Sequence, residues 1–272
     1  MNTGDTAFVM ISTALVFFMT PGLAFFYGGL VRRKNVGNTM MACVAIMGIS
    51  VVMWVLFGYS LAFGGNHAGI IGDFRWFAFS DIGMETGPYS EKIPHLVFAA
   101  FQMMFAMITP ALITGALVGR MKFKALFFFV IFWFLFIIFS FCKESNYENM
   151  VWGEGGLLAE IGSVDFAGGD VVHISSGISA LVLAVLIGKR RGYEHTTYRI
   201  HNIPFVVLGA SILWFGWFGF NAGSALGANG LAAHAFMTSA ISAAAALLSW
   251  MFIDTIKNGK TTLVGAATGL VV

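Results

Sequence analysis

The chain alternates long apolar stretches with short polar ones, and most of its charge sits in the short ones. A helix needs about 20 largely apolar residues to cross a bilayer. Seven stretches qualify: 7–31, 36–63, 95–118, 125–142, 166–188, 203–222 and 231–253. An eighth begins near Thr261 and runs to Val272. The pattern predicts an all-α, polytopic membrane helical bundle. The first span reads as a retained helix rather than a cleaved signal, because Met1-Asn2-Thr3-Gly4-Asp5 puts no basic residue before it. Small residues recur at four-residue spacing in Gly115 and Gly119, in Ser176, Ala180, Ala184 and Gly188, and in Thr238, Ser242 and Ala246. Such stripes let helices approach in lipid, and all three read as packing faces. The 64–94 segment reads as a structured cap.

Charge gives the spans a direction. With the N-terminus outside, the inner loops hold Arg32, Arg33, Lys34, Arg120, Lys122, Lys124, Lys189, Arg190, Arg191, Arg199, Lys257 and Lys260, which is 12 of the 15 Lys and Arg residues. Only Arg75, Lys92 and Lys143 fall on the other side, with 11 of the 13 acidic residues there or at helix mouths facing it. The positive-inside rule then predicts an extracytoplasmic N-terminus in the cell membrane.

Composition narrows the function. Hydrophobic residues make up 58% of the chain and charged ones 10%, with a mean hydropathy of +0.83. A soluble domain is about half apolar and about a quarter charged, so a soluble enzyme is nearly excluded. The net charge of +2 comes from short basic clusters rather than a basic face, which argues against nucleic acid as a partner. Cys43 and Cys142 fit no metal spacing and read as buried filler.

Ionisable and polar groups inside a span are costly there and suggest function. Asp165-Phe166-Ala167-Gly168-Gly169-Asp170-Val171-Val172-His173 opens the fifth span. Asp165 reads as an N-cap that can also act electrostatically at the mouth. His173, about two turns deeper, reads either as a buried, hydrogen-bonded histidine or as a pore-lining one. Phe101-Gln102-Met103-Met104-Phe105 puts two rings one turn apart on one face. In Trp214-Phe215-Gly216-Trp217-Phe218-Gly219-Phe220-Asn221-Ala222-Gly223-Ser224, glycines alternate with rings. Those tryptophans read as an interfacial belt, or as rings gathered around a small opening. Trp152 precedes the fifth span, and His234 falls early in the seventh.

These segments, together with Pro21-Gly22-Leu23-Ala24-Phe25-Phe26-Tyr27-Gly28-Gly29, resemble the ammonium transporter family (Amt/Mep/Rh), on its Amt side, along essentially the whole chain. The resemblance implies a homotrimer of eleven-helix protomers, each an inverted five-helix repeat plus one helix around its own pore. Residues 1–188 would form the first repeat and 203–272 part of the second, within one transmembrane domain. Trp152, Phe105, Ser224 and Asp165 match the outer site that recruits ammonium. Phe105 and Phe220 match the gating rings, Trp217 a pore-wall tryptophan, and His173 the first of two pore histidines. The implied function is capture of ammonium, removal of its proton and conduction of ammonia, with methylammonium as an analogue and no cofactor or metal. Against that pattern the chain reads as C-terminally truncated in the eighth of eleven helices, short of the second pore histidine. A PII-type regulator is expected only where a cytoplasmic tail exists. Asp170 and Glu154 depart from the pattern and add negative charge near the mouth, and Asp170 could face either the vestibule or His173.

Other classes fit less well. An ammonium sensor or a non-conducting homologue would use the same recruitment site. Seven spans with an outside N-terminus also suit a retinal protein or a signalling receptor, but 231–253 holds no lysine for a retinal Schiff base. A membrane enzyme finds no nucleophile elbow, HExxH or second ligand cluster.

Overall fold

In the computed structural model, residues 1–65, 71–141, 162–190, 192–193, 195 and 198–272 are described, with the side chains of 136–141 excepted. Every apolar stretch found in the sequence is helical over most of its described residues. The helices are α1 (Thr3–Leu30), α2 (Val36–Met53), α3 (Tyr59–Phe63), α4 (His95–Leu117), α5 (Phe123–Phe141), α6 (Ser175–Ile187), α7 (Ile203–Trp217), α8 (Gly230–Asn258) and α9 (Leu263–Val271). Three π-helical segments interrupt this order: Trp54–Gly58 joins α2 to α3, Gly169–Ile174 leads into α6, and Phe218–Ala222 continues α7. Counting those continuations, six of the described helices are long and apolar enough to cross a membrane.

Caps set several boundaries where the sequence supplies them. Asn2, Asn202, Asn229 and Thr262 each accept an amide from the first turn of the helix they precede. The 64–94 cap contains a two-stranded antiparallel ladder, β1 (Thr86–Gly87) with β2 (Ser90–Pro94), and an Arg75–Asp73 ion pair at 2.8 Å. Beneath it the Tyr59 hydroxyl and His95 Nε2 lie 2.6 Å apart, both buried.

The centre of the bundle is α4, whose Phe101, Met107, Ile108 and Ile113 are almost wholly enclosed. A helix apolar on every side belongs in the middle, since no face of it prefers water. Trp54 ties α2 to it by donating to the carbonyl of Ala99 at 3.1 Å. The tightest pairing is antiparallel, between α1 and α7. A Cβ on Gly209 would stand 2.3 Å from the amide nitrogen of Phe26, and one on Gly29 would stand 2.7 Å from the carbonyl of Asn202. Further along, Gly216 leaves room for Met19, and Gly219 for Leu15 and Ser12. Close backbone approach of this kind is how helices gain packing energy where lipid is as apolar as the protein.

The expected small-residue stripes divide. Gly115 is a packing position, since a Cβ there would press into the Tyr27 ring at 2.6 Å. Gly119 lies beyond α4 at φ +68°, and it turns the chain rather than packing a helix. Of the third stripe, Thr238 and Ser242 line the cavities beside His173, whereas Ala246 packs against α9, its carbonyl 2.9 Å from where a Cβ on Gly269 would stand. Hydroxyl groups line a polar cavity at less cost than they pack against lipid chains.

Candidate functional site

The site begins at Asp165. Its Oδ1 accepts the amides of Gly168 at 2.6 Å and Gly169 at 2.7 Å, and its Oδ2 those of Asp170 at 3.0 Å and Val171 at 3.2 Å. One carboxylate thus satisfies the free amides that open the π-helical segment, as a negative cap at a positive helix end should. The turn into that helix needs Gly168 at φ +99°, a left-handed conformation that glycine adopts without steric cost. Asp170 accepts from Ser163 Oγ at 2.5 Å, so its carboxylate is engaged by the segment before the helix.

The π turn decides where His173 points. Val172 is fully buried, whereas His173 is exposed on the described chain and turns toward α7. Its imidazole stacks on the ring of Phe220, with centroids 5.6 Å apart and planes at 17°, and lies 6.4 Å from the Trp217 ring. Phe220 in turn meets Phe105 edge-on at 4.6 Å, and Phe105 meets Phe101 at 4.9 Å. Both Phe105 and Phe220 are nearly inaccessible to solvent. Gly216 and Gly219 are pressed against α1, and Trp217 and Phe220, on the flank beside that contact, meet His173.

Two cavities share His173, Trp217, Asn221 and Ser239. The first, of about 390 Å³, is also lined by Asp165, Gly169, Phe220 and Thr238. The second, of about 300 Å³, lies further from Asp165 and adds Trp214, Ser242 and Leu270. Asn221 Nδ2 donates to Ser239 Oγ at 2.7 Å between them. An imidazole between two small cavities can offer a donor nitrogen to one and an acceptor to the other.

Of the residues expected from the sequence, Asp165, Phe105, Phe220, His173 and Trp217 therefore form one continuous cluster. Ser224 lies one turn beyond Phe220 and donates to its carbonyl at 2.8 Å. Trp152 and Glu154 lie outside the described residues, as does Cys142, while Cys43 is buried. His234 is exposed on α8 and away from both cavities. Sequence reasoning missed Ser239 and the role of Thr238 and Ser242. The hydroxyls of Thr238 and Ser242, one turn apart on one face of α8, were the available signal, and they were read as packing.

An apolar bundle with six membrane-length helices among its described residues, and with paired rings and a stacked imidazole beside two polar cavities, defines a polytopic membrane protein. The chain belongs to the Ammonium Transporter Family, whose family model matches residues 7–272. An ammonium transporter of Mycobacterium bovis is 45% identical over 98% of this chain and 60% of its own length. One of Bacillus subtilis is 44% identical over 100% of this chain and 65% of its own. Among solved structures, Saccharomyces cerevisiae Mep2 superposes with a TM-score of 0.85 at 33% identity, covering 99% of this chain and 61% of that one. A structure described as a sensor Amt protein gives 0.86 at 27%, covering 98% and 67%. The chain spans about 60% of the length of the curated mycobacterial relative.

Proposed function

We propose that this chain carries the ammonium-recruiting and first conducting part of an ammonium transporter. The reading rests on one observation, the His173–Phe220 stack closed edge-on by Phe105 beside a cavity that opens to Asp165. Ring faces attract a cation by about 0.5–2 kcal/mol, and the Asp165 carboxylate adds a favourable field. Phe105, Ser224, Asp165 and Trp152 recruit ammonium, Phe105 and Phe220 gate, and His173 and Trp217 line the conducting path. Carrying a bare cation through the bilayer centre costs several kcal/mol, with estimates from about 3 to above 10. Ammonium's pKa lies roughly two units above neutral, so removing its proton costs only about 3 kcal/mol. Ammonia then crosses beside a neutral imidazole that can relay the proton. Potassium has no proton to shed, and the same dry passage rejects it.

The N-terminus faces outward in the cell membrane by the basic loops, and the assembly is the homotrimer that the family resemblance implies. Residues 1–188 and 203–272 belong to successive repeats of one transmembrane domain, which is supported by the backbone contact between their first helices, α1 and α7. A PII-type regulator would act through a cytoplasmic tail. The test is methylammonium uptake by cells carrying His173→Ala against the parent at equal membrane abundance. Uptake should fall at least about tenfold, the scale of lost proton-relay and hydrogen-bond function. Undiminished uptake, or potassium flux matching ammonium flux in the parent, overturns the reading. The likeness to a sensor Amt structure supports a second reading, an ammonium sensor without flux. Binding of methylammonium without any uptake would favour it.

A further inference from the structure

At the end of the bundle opposite Asp165, a cavity of about 790 Å³ opens among the ends of α1, α4 and α6 and the segment after α6. Its charged lining is Arg32, Lys34, Arg120, Lys189 and Arg190, with no acidic side chain among the described residues that form it. Arg120 is held in place. Its Nη1 donates to the carbonyls of Ala184 at 3.3 Å and Gly188 at 3.1 Å, at the negative end of the α6 dipole. Its Nε is buried with no hydrogen-bond partner. Arg32 and Arg190 both lie over the ring of Tyr198, with Cζ 4.7 Å and 4.5 Å from the centroid. One phenol ring therefore holds two guanidinium groups. Gly119, at φ +68°, makes the turn that delivers Arg120 to the same cavity, and a Cβ there would touch Asn35 at 3.1 Å.

An anion placed among Arg120, Lys34 and Arg190 is attracted by each of them, and more strongly at the edge of a low-dielectric bundle than in water. Guanidinium forks match phosphate oxygens in pairs, whereas a lysine supplies a point charge. A basic pocket between membrane helices has the chemistry of a site for an anionic headgroup. We infer that this cavity binds a phosphate-type oxyanion, either free or as the headgroup of an acidic lipid. Arg120 is the anchored element of the site, and Lys34 and Arg190 are its further cationic partners. The site is independent of the passage at His173, so it stands or falls apart from the transport reading.

The experiment uses the full chain in two kinds of nanodisc. In phosphatidylcholine discs, inorganic phosphate is titrated and binding is read by calorimetry. In phosphate-free discs containing phosphatidylglycerol, retained lipid is read by native mass spectrometry. Saturable binding of at least one probe is expected. The variant Lys34→Gln/Arg190→Gln should weaken it about tenfold or more by removing two charge-assisted partners. Lys257→Gln/Lys260→Gln, which removes two charges elsewhere at the same end, should leave it unchanged. Melting temperatures matched to the parent exclude misfolding, and Arg190→Lys should recover part of the binding. Phosphate alone assigns a soluble anion, and lipid alone assigns a headgroup. Binding of neither probe, or equal weakening by the control pair, overturns the inference.

Discussion

The imidazole of His173 lies nearly parallel to the ring of Phe220, with 5.6 Å between centroids. The two residues come from π-helical segments on different helices, Gly169–Ile174 and Phe218–Ala222. Such bulges are rare and gather at functional sites. Here each turns its ring toward the other, so neither ring's orientation is independent of its partner.

Phe220→Leu keeps apolar volume but removes the face on which the imidazole rests. Methylammonium uptake should drop at least about tenfold, as for loss of a positioned acid–base group, with membrane abundance close to the parent's. Parental uptake at normal abundance would show that the stack does not orient His173.

Asp165 both caps a helix and places a charge, and two substitutions separate the roles. Asp165→Ala strips the acceptor from four amides and should cost about 1–2 kcal/mol in thermal or denaturant unfolding. Asp165→Asn keeps one acceptor oxygen, so its stability should lie between the two. If the charge recruits substrate, the Asn variant loses uptake out of proportion to its lost stability.

The contact between α1 and α7 makes a prediction about glycine. Gly209→Ala forces a methyl to 2.3 Å from the backbone of Phe26 and should abolish accumulation of folded protein. Gly48→Ala, in α2 with nothing within 4 Å of the new methyl, should be neutral or up to about 1 kcal/mol stabilising. Expression and melting temperature of the pair check both halves. Equal behaviour would mean that the close approach carries no weight.

Trp214 lines the second cavity with a buried indole nitrogen that has no hydrogen-bond partner. An unsatisfied buried donor costs about 1–3 kcal/mol. Trp214→Phe removes the donor and keeps most of the ring, so unfolding should shift by less than the cost of a large-to-small change in a core, about 3–5 kcal/mol. A larger loss would show that the N–H is engaged.

The run of apolar and charged residues was enough to locate the helices to within about one turn, and the end of the bundle that gathers the basic residues. It also marked Asp165 as a cap, because a carboxylate before two glycines has a local role that tertiary context does not change. Phe105, Phe220, His173 and Trp217 could be named individually, but their meeting could not be read. In a chain that is apolar all round, hydrophobic periodicity cannot tell the interior face from the lipid face, since both are equally greasy. The tertiary structure made that choice through backbone contact. Gly216 and Gly219 rest against α1, and Trp217 and Phe220, on the flank beside that contact, meet His173. The same blindness hid Thr238 and Ser242, whose spacing is that of a packing stripe although they line a cavity. Which helix face becomes a wall depends on what the neighbouring helices leave open, and no single helix carries that information in its own sequence.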